Sequence, residues 1–393
     1  MNHVSGTIEC TKSFHLFFHS KNEDSNLKSF YHRAFNSAVE LLIVNAYLTN
    51  WDSTTKLNKN CARFRMIVGK DFGITRKLAC KDVLKWVPAK HKVHFRVADQ
   101  IQGFHPKAIF WREAGGQSYA VIGSSNLSLA AFEKNYEANV ALPISSKDFD
   151  RARDWVDQMA AFSVPISPDW LNSYRESKPR GGSDPRPHKN NVQIAEVLPI
   201  QLPNPTGAET AVRKRRKQLK RFRENRDGLI ELFRQCGAGT ISSSRFYDQL
   251  PRYWGGEVGG RLQGKGWERR GKEANFKQLA ESYLKIVDAT TSTRDDTAVS
   301  EIDRLADANN PARKAFLSEM LCLEFPELYP VLNQPVQRYL LDKNFRGSPG
   351  MSEGARYLDL ALRLRLSLHQ NPEHPAKNIA ELDTVIWLAY PSN

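Results

Sequence analysis

The sequence predicts an α/β fold in its N-terminal half, a mixed β-sheet sandwiched by helices, followed by a mainly α-helical C-terminal region. Three observations carry this expectation. Between Lys28 and Ala161, short apolar runs of strand length alternate with helix-period segments, the pattern of a largely buried sheet with flanking helices. From Ser177 to Pro205 the chain turns polar and Pro-rich, with two adjacent glycines and no sustained period, as an exposed linker does. Beyond it, helical patterns dominate. The 393 residues exceed what one hydrophobic core usually serves. The expected boundaries are an α/β domain at 1–175, a linker at 176–207 and a basic helical region at 208–393.

Each element follows from its local pattern. Lys28 to Val39 has helical spacing and runs into the strand-like Leu41 to Tyr47. Arg63 to Val68 is a second strand, stopped at Gly69, and Thr75 to Trp86 is helical. Short apolar runs follow at Lys92 to Val97, Lys107 to Trp111, Tyr119 to Ile122 and Ala138 to Leu142, and a helix from Phe149 to Ala161 closes the region. Downstream, Ala211 to Gln235 reads as one basic helix, with Phe276 to Val287, Pro311 to Cys322, Val336 to Leu341 and Ile379 to Ala389 as further helices. Leu358, Leu360, Leu362, Leu364, Leu366 and Leu368 alternate with the period of a strand. That stretch is nevertheless assigned to a helix, because it lacks β-branched residues and is rich in Leu, Ala and Arg.

Composition narrows the classes. Eight Trp, 12 Tyr and 20 Phe are far too many for a disordered chain. The five cysteines, Cys10, Cys61, Cys80, Cys236 and Cys322, contain no C-x-x-C pair, which argues against a disulfide framework and a cysteine zinc site and for a reducing, cytoplasmic setting. The longest apolar stretch, Ala38 to Leu48, is broken by Glu40 and Asn45 and is too short to span a bilayer, so a soluble protein is expected. Lys and Arg number 57 against 43 Asp and Glu, a surplus that suggests a polyanionic partner. The surplus is concentrated, because Glu209 to Lys272 alone holds 17 basic and 7 acidic residues.

The stretch from Phe104 to Val140 carries the chemistry. His105 and Lys107 stand two apart on a strand and so project to one face, an imidazole beside an ammonium where a phosphate fits. The run Tyr119 to Gly123 is a buried strand that delivers Ser125 and Asn126 at its tip, where open α/β sheets gather binding groups. Asn126 is suited to donate to a phosphoryl oxygen. Ser125 is read either as a binding hydroxyl or as a cap, and Ser124 is the weaker candidate. Glu137, at the start of another strand, is the expected acceptor for a histidine Nδ1 proton, which would leave Nε2 free as nucleophile.

In these residues the sequence resembles the phospholipase D superfamily, through His105-Pro-Lys107, Gly123-Ser-Ser-Asn126 and Asn135-Tyr-Glu137 in that order. The resemblance covers roughly residues 25 to 165. It departs from members with the longer H-x-K-x4-D pattern, whose acid is replaced here by Arg112, and is similar in this to single-motif nucleases such as the BfiI-type restriction endonucleases. The resemblance implies phosphodiester cleavage with two H-x-K sets, one histidine forming a phosphohistidine while the other protonates the leaving oxygen. One chain supplies one set, so it also implies a homodimer with the site on its two-fold axis. Paired lysines and asparagines would then stabilise transition-state charge, and neither metal nor cofactor is expected.

Nucleic acid is the expected partner, DNA before RNA. The candidate contacts are Arg213, Lys214, Arg215, Arg216, Lys217, Lys220 and Arg221 on the basic helix, with Arg261, Lys265, Arg269 and Arg270 in and after the glycine-rich loop that follows. Gly259 to Gly266 nearly spells a phosphate-cradling loop, but Gly266 replaces the magnesium-holding Ser or Thr and no strand precedes it. The implied setting is restriction or anti-phage defence. Two other readings fit the same residues: a phospholipid hydrolase or transferase, and a catalytically quiet nucleic-acid-binding scaffold within a larger complex, for example beside a helicase.

Overall fold

The computed structural model describes residues 14–19, 26–133, 135–177, 200–255, 262 and 268–391. These divide into two compact units, one drawn from Met1–Ile166 and Ser173–Ala195, the other from Ser167–Asn172 and Glu196–Asn393. Residues 178–199 of the expected linker lie outside the described residues.

In the first unit the described elements run β1 (His15–His19), α1 (Leu27–Ser37), β2 (Ala38–Asn45), β3 (Arg63–Val68), α2 (Lys77–Trp86), β4 (Phe95–Val97), β5 (Lys107–Glu113), β6 (Ser118–Gly123), α3 (Leu129–Glu133), β7 (Glu137–Ile144), α4 (Ser146–Ala161) and β8 (Val164–Pro165). They build one mixed sheet in the order β1-β7-β6-β5-β2-β3-β4-β8. Strands β2, β3 and β4 are parallel, and the other pairings are antiparallel. The expected α/β architecture is therefore present.

Chain patterning explains the layers. β3 is buried along its whole length, as a central strand covered on both faces must be, which is why its sequence does not alternate. Its two arginines, Arg63 and Arg65, reach Asp157 on α4 and so hold that helix against the sheet. Ser145 caps α4 by accepting from the Asp148 N–H at 3.1 Å, a contact of a kind that contributes about 1 kcal/mol. Phe149, Val156 and Ala160 form the buried stripe of α4 over Leu42, Val44 and Phe110. On the opposite face α1 buries Leu27, Tyr31, Ala34 and Phe35.

β1 was not expected. Leu16 and Phe18 remain 57% and 70% exposed on one face, while the other face carries Phe17 between His15 and His19, so no polar-out, apolar-in period of two betrays it. The run Lys92 to Val97 is also split, with a short 3-10 helix at Ala89–His94 before β4.

The second unit contains α5 (Pro168–Ser173), α6 (Ala208–Gly237), α7 (Ser243–Gln249), α8 (Glu268–Gly271), α9 (Phe276–Asp288), α10 (Arg294–Asp307), α11 (Ala315–Glu324), α12 (Gln334–Asp342), α13 (Glu353–Gln370) and α14 (Ile379–Ala389). Helix α10 went unread in the sequence because its buried positions are interrupted by acids, of which Glu301 turns inward to Lys285, Ser282 and Arg304. The leucine-alternating segment is helical. Tyr357, Leu358, Leu360, Ala361 and Leu364 are among its buried positions, a helical stripe, so the period of two is incidental. The larger core centres on an aromatic cluster in which the Phe233 ring lies tilted against Tyr283 at 4.3 Å and edge-on to Phe246 at 5.0 Å between centroids, and Phe276 meets Phe316 at 5.6 Å. Truncating Phe233 to Ala would cost about 3–5 kcal/mol through the cavity it leaves. Among the described residues, no helix is long and apolar enough to cross a membrane.

Candidate active site at one end of the sheet

Strand register brings the predicted residues together. Asn45 pairs with Lys107 across β2 and β5, and Ala108 pairs with Ile122, so Gly123 follows beside Lys107. Gly123 pairs with Asn139, and His19 pairs with Glu137 on the far side of β7. Five strand ends therefore meet at one end of the sheet. It is the end at which the parallel strands β2 and β3 finish, the position where open α/β sheets place ligands.

Gly123 is required by close approach. A Cβ there would lie 2.2 Å from Asn139 Oδ1 and 2.4 Å from the Ala138 carbonyl, so any side chain would push β7 away. Beyond it the tip is set by buried amides. Asn45 Oδ1 accepts from the backbone N–H groups of Tyr47, at 3.3 Å, and Leu127, at 3.2 Å, tying the segment after β2 to the segment after β6. Asn126 Oδ1 accepts from the Tyr47 N–H at 3.2 Å. With its oxygen so engaged, the Asn126 amide group has its two N–H donors to offer a ligand. Tyr47 also sets its ring edge against the His105 imidazole at 5.7 Å between centroids, linking the Asn126 end of the site to the His105 end.

His105 is exposed, and Lys107 is half-buried. Lys107 Nζ stands 3.1 Å from His105 Nδ1 and 3.2 Å from Nε2. Partial burial lowers the Lys107 pKa, and the negative charge of Glu137 opposes that shift. Within one chain, Glu137 and His105 are not hydrogen-bonded to each other. The Glu137 carboxylate accepts from Ser124 Oγ and from Asn135 Nδ2, the latter at 3.0 Å. The reason is spacing: β7 lies two strands from β5, about 10 Å across the sheet, whereas Ser124 is on the adjacent strand end.

The structure buries Ser125 and exposes Ser124. Ser125 is 2% exposed and its Oγ accepts from Asn139 Nδ2 at 2.8 Å, so its hydroxyl is spent inside the fold. Ser124 is the exposed one, and its hydroxyl reaches Glu137. Arg112, at the position of the missing acid, pairs with Glu40 at 2.8 Å and Asp150 at 2.9 Å and lies over the Phe149 ring, a structural use. Asn45, Asn139 and Tyr47 escaped the sequence reading. The available signal was an amide closing an apolar run at Asn45 and interrupting one at Asn139. Among the described residues, no group of three His, Cys, Asp or Glu side chains is arranged to hold a metal ion.

In the second unit, α6 is about 45 Å long at 1.5 Å per residue and sorts the candidate cations by its period. Arg213, Lys214, Arg216, Lys217, Lys220 and Arg221 are exposed. Arg215 is not available to a ligand, a correction to the sequence reading. It is 3% exposed, in the stripe with Val212, Leu219 and Phe222, and lies 3.2 Å from the buried Asp383 of α14. Burial raises the pKa of Asp383, and the Arg215 charge opposes that shift. Arg216 makes a bidentate pair with Glu381, at 2.7 and 3.1 Å. Arg213 donates to Thr210 Oγ1 at 3.2 Å. Arg261 and Lys265, with most of the glycine-rich loop, lie outside the described residues, as do the side chains of Arg269 and Arg270.

Residues 32–160 match the family described as cardiolipin synthase, PLD-like domain. No curated protein matches the chain. Among solved structures, NucT from Helicobacter pylori is similar at 16% identity with a TM-score of 0.30, the match covering 39% of this chain and 99% of that one. Nuc from Salmonella typhimurium, a phospholipase D family member, is similar at 14% identity with a TM-score of 0.29, covering 39% of this chain and 97% of that one. The mixed sheet, the ordered motif at its end and the family match over 32–160 agree: the N-terminal unit carries a phospholipase D-like catalytic domain.

Proposed function

We propose that the protein is a nuclease that cleaves a phosphodiester in nucleic acid without a metal ion, through a phosphohistidine, at a site completed by a second copy of the chain. The observation that carries this is the meeting of His105, Lys107, Ser124, Asn126 and Glu137 at one sheet end, with the Asn126 side-chain oxygen engaged by the Tyr47 N–H. His105 Nε2 attacks phosphorus, forming an N–P bond as the P–O bond to the leaving oxygen breaks. The leaving oxygen takes its proton from His105 of the second copy, which then deprotonates the water that hydrolyses the phosphohistidine. Lys107 and Asn126 from each copy balance the charge on the equatorial oxygens. The exposed cations of α6, Arg213, Lys214, Arg216, Lys217, Lys220 and Arg221, supply sequence-independent contact with phosphates, and Arg261, Lys265, Arg269 and Arg270 extend that set.

DNA is the favoured substrate, in the setting of restriction or anti-phage defence, with a helicase or another defence protein as a further partner. The test is cleavage of labelled single-stranded and duplex DNA and RNA in excess EDTA, with phosphatidylglycerol vesicles as the lipid control. Cutting that persists in EDTA and vanishes in His105→Ala supports the reading. Lipid turnover without nucleic-acid cleavage would replace it with a phospholipid enzyme. Binding without cleavage of either would leave a nucleic-acid scaffold.

A further inference from the structure

The sheet end holds one more polar side chain that the proposed reaction does not use. His19 closes β1, is 4% exposed, and has no hydrogen-bond partner for Nδ1 or Nε2 among the described residues. A buried ring N–H left unmatched costs about 1–3 kcal/mol, and such groups are rare enough to call for an explanation. Its neighbour supplies one. His19 lies directly opposite Glu137 in the β1–β7 ladder, so the two side chains project from the same face, with Cβ atoms about 5 Å apart. That face also bears Phe17, Asn139, Gly123, Lys107 and Asn45, and it packs under α1, where Phe30 meets Phe17 at 5.2 Å. Tyr31 of α1 is buried there as well, its phenol raised by burial and by the charge of Glu137.

We propose that His19 is a positioning residue for Glu137, donating to its carboxylate when Ser124 turns its hydroxyl from Glu137 to a phosphoryl oxygen. In the described state both carboxylate oxygens have donors, Ser124 Oγ and Asn135 Nδ2. Ser124 is exposed at the ligand side, so a bound phosphate competes for its only proton. The exchange leaves Glu137 short of one hydrogen bond and His19 holding one to give. Once made, that bond holds the carboxylate in place, rather than free to swing toward Lys107. No covalent step is involved.

The inference rests on the proposed phosphodiesterase reading for its effect on rate, and its geometry is testable without activity. In the full-length chain, His19→Phe is expected to lower kcat by on the order of tenfold with KM unchanged, a fraction of what a general acid–base group supplies. Its thermal midpoint should stay at or above wild type, because an unmatched polar group is replaced by an apolar one. His19→Gln, which retains an N–H donor, should recover most of the rate. Wild-type kcat in His19→Phe, or a loss that His19→Gln does not repair, overturns the proposal while leaving the nuclease reading intact. The second readout is the ring N–H spectrum of histidine-labelled protein. Inorganic phosphate should shift the His19 resonance in the wild type, and Ser124→Ala should shift it without phosphate. An unmoved His19 signal in Ser124→Ala overturns the proposal. If no substrate is cut, the nuclease reading falls, and this spectrum still decides the His19–Glu137 contact.

Discussion

The two units treat charged residues in opposite ways. At the sheet end of the first, polar groups collect because strands stop there and backbone register forces their last residues side by side; Lys107 sits beside Asn45, and Gly123 beside Asn139, whatever their polarity. On α6 of the second, a dense run of cations is divided by a 3.6-residue period, which turns Arg215 inward to Asp383 and leaves its neighbours outside. Position in a ladder is enforced by every bond along it, whereas the fate of a helical cation depends on which partner helix brings an acid. A motif on strand ends therefore survives translation into geometry better than a composition on a helix.

The comparison breaks most visibly at His105. His105→Ala should abolish cleavage, a loss of at least about 10⁴-fold if the side chain is the nucleophile; residual turnover within tenfold of wild type would detach the sheet end from the chemistry. The next largest effect belongs to the helical unit. Arg215→Ala should destabilise it by about 3–5 kcal/mol by stranding Asp383 in the core. Replacing both partners, Arg215→Met with Asp383→Leu, should recover most of that deficit, as read by urea unfolding. If Arg215→Ala is as stable as wild type, the inward placement of this arginine is wrong and it belongs with the ligand contacts.

A smaller effect tests the ladder itself. Gly123→Ala must open the β6–β7 contact, at a cost of about 1–3 kcal/mol, and should reduce kcat through Ser124 and Asn126 more than it changes affinity for nucleic acid. The pH dependence sharpens the electrostatics of the same end. Lys107 is useful as a cation and its pKa is lowered by burial, so activity should fall on the alkaline side at a lower pH than an ordinary lysine would dictate. Glu137 holds that pKa up, so Glu137→Gln should move the alkaline limb further down. A limb that stays in place in this variant would mean that some other group sets it. The smallest stability effect is expected on α6. Lys217→Ala and Lys220→Ala together should change stability by no more than about 0.5 kcal/mol each, yet the salt slope of nucleic-acid binding should fall by about one for every phosphate that the missing lysines no longer neutralise.

Much of the first unit was readable in sequence order. The strands at Arg63 to Val68, Tyr119 to Ile122 and Ala138 to Leu142 needed only apolar runs with polar stops. The helix at Ile379 to Ala389 needed only its helical pattern; in the structure it is capped by Asn378, whose side chain accepts from the Glu381 N–H at 2.8 Å. β1 was hidden because its exposed face is apolar and its other face carries two histidines, and α10 because its inward Glu301 looks like a surface acid until Lys285 and Arg304 are seen around it.

What the amino-acid order by itself determined was the identity and succession of the polar groups, His105 and Lys107, then Ser124 and Asn126, then Asn135 and Glu137, because local spacing fixes which residues end a strand. What only the tertiary structure decided was who touches whom. Ser124 rather than Ser125 faces outward, Glu137 meets Ser124 and Asn135 within the chain, Arg215 leaves the ligand face for Asp383, and His19 lies opposite Glu137 on an edge strand. The reason is physical: hydrogen bonds and ion pairs are short-ranged and directional. Their partners are chosen by register and packing between segments far apart in the chain, and no local pattern records that choice.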